Sequence, residues 1–308
     1  MFIVSGEALF DVFATGSTPS GIGFDGRIGG SPFNVALGLA RLGQAVGFCG
    51  GIGTGFAGER LLQAMADEGI DTRAVARLDA PTTLSLVGLN AQGVPSYAFY
   101  GQGCADRLLR TEHLAAIPAE ANCFHFGSYA MVVQPVGATQ RALVEREHPR
   151  SVISYDPNIR ANVEPDLDVW RATLQWMQPR THLLKVSDED LALLYPDRDI
   201  AQFAADALAA GTPLVVVTRG AEGAVGFTAR GSVVAPPVTV AVADTVGAGD
   251  TFQAALLTWA AETGRLTPAA LAAIDNTALA EALGFAARAA AITCSRRGAD
   301  LPRRAELA

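Results

Sequence analysis

The stretch Asp244-Thr-Val-Gly-Ala-Gly-Asp-Thr-Phe252 holds the residue types that handle a phosphate. Gly247 and Gly249 let a backbone come close to an anion. The apolar residues 238–242 ahead of them read as a strand, and residues 252–260 behind them read as a helix. A glycine turn that opens a helix leaves backbone N–H groups unpaired and aims the helix dipole at whatever sits there. The N–H groups of Gly247, Ala248, Gly249 and Asp250 are therefore the expected anion clamp. Asp250 stands at the N-cap or in the first turn, where a carboxylate commonly caps. Against an anion hole, the same carboxylate suits removal of a proton from an attacking hydroxyl.

Elements elsewhere must position this turn. Residues 151–155, 182–186 and 213–218 are short apolar runs that read as strands buried on both faces. Helical patterns lie between them, at 166–177 and 200–210. Such alternation predicts a parallel sheet with helices on both sides, an α/β fold whose ligands bind beyond the strand ends. Arg160 and Lys185 fall near such ends. Residues 247–293 are Ala- and Leu-rich and helical, with a break near 264–268. Two segments depart from the pattern. Residues 14–31 are rich in Gly, Ser and Thr, and residues 83–89 and 94–100 read as a hairpin joined by Asn90-Ala-Gln-Gly93. They predict a small accessory sheet able to cover a site. The expectation is one domain, 1–308, with lid segments at about 12–33 and 82–103.

Composition narrows the chemistry. Among 308 residues, 50% are hydrophobic and 18% are charged, which supports a large core and excludes a disordered chain. The net charge of −8 argues against nucleic acid or an anionic membrane surface as partner. Lys185 is the only lysine, so the Gly-Lys-Ser/Thr phosphate loop is excluded. Cys49, Cys104, Cys123 and Cys294 are scattered, as are the four histidines, so neither disulfides nor a zinc site is expected. Residues 1–7 lack a basic leader region, and polar residues and Pro break the uncharged stretch 80–105, so the chain reads as cytoplasmic.

The glycine motif resembles the second signature of the ribokinase-like (PfkB-type) sugar kinases, Asp-Thr-x-Gly-Ala-Gly-Asp-x-Phe. Gly29-Gly-Ser-Pro-Phe-Asn-Val-Ala-Leu-Gly-Leu-Ala-Arg-Leu-Gly43 resembles the first signature. Within that family the chain is most similar to bacterial fructokinases, through Gly6-Glu-Ala-Leu-Phe-Asp11, Phe124-His-Phe-Gly-Ser128, Asp156-Pro-Asn-Ile-Arg160, Lys185-Val-Ser-Asp-Glu-Asp190 and Val217-Thr-Arg-Gly-Ala-Glu-Gly223. The resemblance runs nearly the whole chain. It implies a three-layer α/β/α domain with a β-sheet lid, and transfer of phosphate from ATP to D-fructose with Asp250 as base.

Further roles follow from the resemblance alone. Asp11, Gly30 and Asn34 would hold the sugar, because a carboxylate and an amide supply fixed acceptors and donors for vicinal hydroxyls. Arg160 would reach sugar or phosphate. Lys185, Ser187, Thr218, Arg219, Gly220 and Gly223 would join Gly247 and Gly249 around ATP. Asp190 stands where relatives carry a Glu that organises the waters of Mg²⁺, and Glu189 is an alternative to it. Ala287 near the base implies weak reading of its edge. Asp244 with the carbonyls of Val246, Thr293, Arg296 and Gly298 would hold a monovalent cation such as K⁺. The open edges of the lid suggest a homodimer.

Rival readings have specific origins. Gly53-Thr-Gly-Phe-Ala-Gly58 has the Gly-x-Gly-x-x-Gly spacing of a dinucleotide fold, with Asp71 and Asp79 downstream. Loss of catalysis would leave a sugar-binding protein, although such a protein has no need of Asp250 as a base. Among kinases, 2-dehydro-3-deoxygluconate kinase needs a cation for its substrate's carboxylate, and Arg160 could supply one.

Overall fold

The computed structural model describes residues 1–89 and 95–307. The turn expected at 90–93 lies outside these residues, and so does Val94. Among the described residues, thirteen strands form two sheets and nine α-helices surround them.

The main sheet contains β1 (Phe2–Ser5), β4 (Val46–Gly53), β5 (Val75–Leu78), β8 (Cys123–Gly127), β9 (Val152–Asp156), β10 (Leu183–Ser187), β11 (Leu214–Thr218), β12 (Ala224–Thr228) and β13 (Gly231–Ala235). Their spatial order is β13-β12-β11-β10-β9-β8-β1-β4-β5. Pairing from β5 to β11 is parallel, as expected. At the other edge β12 and β13 run antiparallel, because the short turns at 219–223 and 229–230 allow only hairpin connections.

Side chains alternate across the sheet and feed two cores. Val4, Cys123, Val152, Leu183 and Val216 pack under α1 (Ser31–Arg41), α2 (Phe56–Asp67), α7 (Ala248–Glu262), α8 (Pro268–Ala272) and α9 (Asn276–Cys294). Ile3, Phe124, Ile153, Leu184 and Val215 pack under α3 (Val136–Glu147), α4 (Leu167–Met177), α5 (Asp188–Leu194) and α6 (Ile200–Ala209). Helix α9 is long and apolar enough to cross a membrane by composition, but half of that stretch is buried against the core.

The second sheet has the order β3-β2-β6-β7, from β2 (Leu9–Thr18), β3 (Gly21–Gly29), β6 (Leu84–Leu89) and β7 (Pro95–Tyr100). It contains the two segments expected to form a lid. The first begins earlier than 12 and ends before 33: residues 31–33 are the first turn of α1, opened by Pro32. The two glycines at 29–30 end the strand and release the chain into that helix.

Candidate active site

A cleft of about 1040 Å³ runs between the two sheets, past the C-terminal ends of β9, β10 and β11 and the N-termini of α1 and α7. Its centre is the glycine turn. Gly247 is the N-cap of α7 with φ of +78°, and a Cβ there would lie 2.7 Å from Ala299 Cβ, so only glycine fits. The Ala248 N–H is not available to an anion, contrary to expectation. It bends back to the Thr245 carbonyl at 3.2 Å, because the turn ahead of α7 closes on the first residue of the helix. The N–H groups of Gly247, Gly249 and Asp250 have no such partner among the described residues.

The residues ahead of the turn are not a strand. Residues 236–243 are irregular and largely exposed. Pro236 and Pro237 remove two ladder donors, and the N–H groups of Ala243 and Asp244 both bond to the Cys294 carbonyl, at 2.8 and 3.2 Å. The segment instead forms one wall of the cleft, through Val238, Val240 and Val242.

Asp250 sits in the first turn of α7 and is 6% exposed. Its Oδ1 accepts from Ser31 Oγ at 2.6 Å, and its Oδ2 accepts from Asn34 Nδ2 at 2.8 Å. Both donors come from the first turn of α1. The helices approach closely enough that a Cβ on Gly38 would lie 2.7 Å from Ala254 Cβ. Two helix N-termini therefore converge on one carboxylate. Burial raises the pKa of Asp250; Ser31, Asn34 and the nearby Lys185 oppose that shift without cancelling it. A carboxylate that is a stronger base than usual, yet held in place, is suited to proton abstraction. Ser31 was not singled out from sequence, although it lies inside the first signature.

Asn34 thus spends its amide on Asp250, while its Oδ1 is buried without a partner. Asp11 on β2 and Gly30 at the N-cap of α1 line the same end of the cleft, as does Arg160. Gly30 has φ of +102°, and a Cβ there would lie 2.7 Å from the Glu7 carbonyl oxygen. Burial raises the pKa of Asp11, against the opposing effects of Ser85 and Arg160. Glu7 was quoted only as part of a family motif, yet it is 1% exposed and lies under this end. Burial pushes its carboxyl up to about 8, Asp106 adds to the shift, and Ser128 and Arg160 oppose it.

Thr218, Gly220 and Gly223 line the opposite end, with Ala287 and the valines of the irregular wall. Arg219 is not among the lining residues. The tight turn at Gly220–Glu222 brings Glu222 to it, so that Arg219 Nη2 donates to the Glu222 carbonyl at 3.1 Å. Lys185 is 3% exposed, and its Nζ donates to Asp156 Oδ2 at 2.6 Å. A Cβ on Gly249 would lie 3.3 Å from that ammonium, so the lone lysine lies directly below the anion turn. Gly53–Gly58 does not line the cleft.

For metals, Ser187 caps α5 by accepting from the Asp190 N–H at 3.0 Å. Asp190 Oδ1 accepts from the Ile159 N–H at 3.1 Å, and burial with Asp156 nearby raises its pKa to about 6. Asp156 Oδ1 is buried without a partner. No group of three or more His, Cys, Asp or Glu gathers among the described residues. The unpartnered Asp156 Oδ1 and the Asp190 carboxylate are hard oxygen donors of the kind that hold a divalent ion, directly or through water. Behind the cleft, Asp244 bridges two loops by accepting from Val246 N–H at 3.1 Å and Gly298 N–H at 2.9 Å. Those backbone bonds outweigh the effect of partial burial and lower its pKa. The Thr293 carbonyl accepts from the Arg296 N–H at 3.0 Å, at the end of α9.

The pfkB family carbohydrate kinase model matches residues 5–305. A fructokinase of Rhizobium leguminosarum bv. trifolii is 38% identical over 279 residues, 91% of this chain and 85% of that protein. A fructokinase of Xylella fastidiosa solved with bound ATP superposes with a TM-score of 0.89 at 28% identity, covering 99% of this chain and 96% of that one. A fructokinase of Vibrio cholerae O395, solved with fructose, ADP and calcium ion, gives a TM-score of 0.82 at 27% identity, with 99% and 97% covered.

Proposed function

The chain belongs to the pfkB family of carbohydrate kinases, and we propose that it transfers the γ-phosphoryl group of ATP to D-fructose, giving fructose 6-phosphate and ADP. It is a phosphotransferase acting on a sugar hydroxyl. The observation that carries the phosphotransfer reading is the Asp250 carboxylate, fixed by Ser31 and Asn34 where the sugar end of the cleft meets the anion turn.

Fructose lies over Gly30 and Asp11, and the Asp11 carboxylate accepts from its hydroxyls. Its 6-hydroxyl faces Asp250. Each oxygen of Asp250 accepts one hydrogen bond and keeps a second lone pair. As the sugar oxygen bonds to the γ-phosphorus, its proton passes to Asp250 and the bond from the γ-phosphorus to the β,γ-bridging oxygen breaks. The free N–H groups of Gly247, Gly249 and Asp250 face the transferring group, which needs positioning and charge stabilisation more than covalent help. Lys185 adds a cation below them. Thr218, Gly220 and Gly223 border the nucleotide.

Mg²⁺ would be held through water by Asp190 and Asp156, with Glu189 at the cleft wall, and would neutralise phosphate charge. Asp244 with the carbonyls of Val246, Thr293, Arg296 and Gly298 would hold a monovalent cation that steadies the loop behind the turn. The second sheet acts as a lid that excludes water. Its outer face exposes Ile22 by 62%, Phe24 by 52% and Tyr100 by 60%, and a second copy of the chain covers this apolar patch.

The keto-acid reading is weaker, because among the described residues Arg160 is the one cation at the sugar end and Asp11 already faces it there. The deciding test is ADP release with ATP, Mg²⁺ and a panel of fructose, other hexoses and 2-dehydro-3-deoxygluconate. Fructose should give the highest kcat/KM. Preference for the keto-acid, or no turnover of any hexose, overturns the proposal.

A further inference from the structure

Asp106 is a buried carboxylate for which the proposed reaction has no use. It is 2% exposed and lies in the short turn Ala105–Arg107, just after the second sheet. Its Oδ1 accepts from Thr83 Oγ1 at 2.5 Å, and its Oδ2 accepts from Tyr129 OH at 2.8 Å. Thr83 is the residue before β6, and Tyr129 lies in the turn after β8 and lines the cleft. One carboxylate therefore ties the root of the second sheet to the floor of the main sheet.

The surroundings repeat that link. Phe99 on β7 meets the Tyr129 ring edge-on, with centroids 5.4 Å apart. The Arg107 guanidinium lies over both rings, 5.4 Å from one centroid and 5.5 Å from the other. A Cβ on Gly101 would come within 2.6 Å of Arg107 Nη2, so glycine is required for the guanidinium to lie there. The Ala105 N–H bonds to the Pro81 carbonyl at 2.9 Å.

Thr83 is also tied to the sugar end. Its carbonyl accepts from the Phe10 N–H at 3.2 Å, one residue before Asp11. Two residues on, Ser85 pairs with Asp11 across β2 and β6, and its hydroxyl favours the charged form of Asp11. A shift of Thr83 is thus passed to Asp11 through one hydrogen bond and one step of register.

We propose that Asp106 is a positioning residue: through Thr83 and Tyr129 it sets where the second sheet, and with it Asp11, stands over the sugar end of the cleft. The proposal rests on the sugar-kinase reading above. Burial makes the two hydrogen bonds costly to lose one at a time, because each leaves a polar atom without a partner.

The test is steady-state kinetics of wild type, Thr83→Val, Thr83→Ser and Tyr129→Phe, varying fructose and ATP separately, with ADP release also measured without sugar. Wild-type turnover of fructose comes first, and its absence refutes the function rather than this role. Thr83→Val and Tyr129→Phe should each raise the KM for fructose about tenfold and leave the KM for ATP within twofold. Sugar-independent ADP release should rise as a fraction of the total. Thr83→Ser keeps the hydroxyl and should behave as wild type. A fructose KM within twofold of wild type in Thr83→Val overturns the proposal. So does an equal rise in both KM values, or a Thr83→Ser variant as impaired as Thr83→Val. Should Tyr129→Phe fail to fold, the Thr83 pair decides.

Discussion

Replacing Ser31 by alanine should move the acid side of the pH–rate profile upward. Ser31 Oγ donates to Asp250 Oδ1 at 2.6 Å in a buried site, and it favours the charged form of the carboxylate. A hydrogen bond to a charged group contributes about 1.5–3 kcal/mol. Losing the bond removes a contribution that holds the pKa of Asp250 down, so that pKa should rise further. The active form of a base is the deprotonated one. Where both enzymes are on their acid limbs the variant should therefore lose roughly 10- to 100-fold in kcat/KM, and at higher pH the loss should shrink toward zero. The assay is coupled ADP release with fructose from pH 5 to 9, at saturating ATP and Mg²⁺. A uniform fall at every pH would show that Ser31 only shapes the pocket. A limb that moves to lower pH would refute the assignment of Asp250 as the base.

Other outcomes follow from groups around the cleft. The Glu7 carboxyl is raised by burial from 4.5 to about 8, so the folded state holds a proton that the unfolded chain releases. Its stability is fully present below pH 4.5 and is lost as pH rises toward 8, on the order of 1 kcal/mol per unit. Glu7→Gln should thus gain stability over wild type progressively between pH 5 and 8 in urea melts; a constant difference counts against this. Lys185→Met leaves Asp156 as a buried unpaired charge and should cost about 3–5 kcal/mol in the same melts. Adding Asp156→Leu should restore most of that stability and none of the turnover, and recovery of turnover would show the pair is only structural. Gly247→Ala meets both a left-handed backbone and Ala299, and should lower kcat/KM for ATP at least tenfold. Unchanged ATP kinetics would remove the turn from the phosphate site.

Much of the architecture could be read directly from the chain. Strands β9, β10 and β11 are buried on both faces because the sheet is covered on both sides, so each appears as a short, mainly hydrophobic run, interrupted inside β9 only by Ser154 and inside β10 only by Lys185. The anion turn is likewise local: Gly247 needs a left-handed backbone, and the N–H groups it frees belong to its immediate neighbours. The strand expected at 238–242 failed for a non-local reason. Its valines have the right composition, but the Pro236-Pro237 pair and the pull of the Cys294 carbonyl leave it without a ladder partner. The same valines instead line the nucleotide end of the cleft.

What only the tertiary structure decided is pairing across long separations. Ser31 and Asn34 meet Asp250 across 219 and 216 residues of chain, and no periodicity in either segment announces this. Arg219 lies inside the motif quoted for the nucleotide side, yet a turn of three residues brings it to Glu222 instead of the cleft. Glu7 and Asp106 look like ordinary acids in sequence. Burial, a property of the whole fold, raises both pKa values, which residue type does not reveal. Backbone conformation and hydrophobic period depend on residues a few positions apart and can be read from the chain. The energy of a buried polar group depends on which distant atoms surround it, and that is settled only when the helices and sheets have packed.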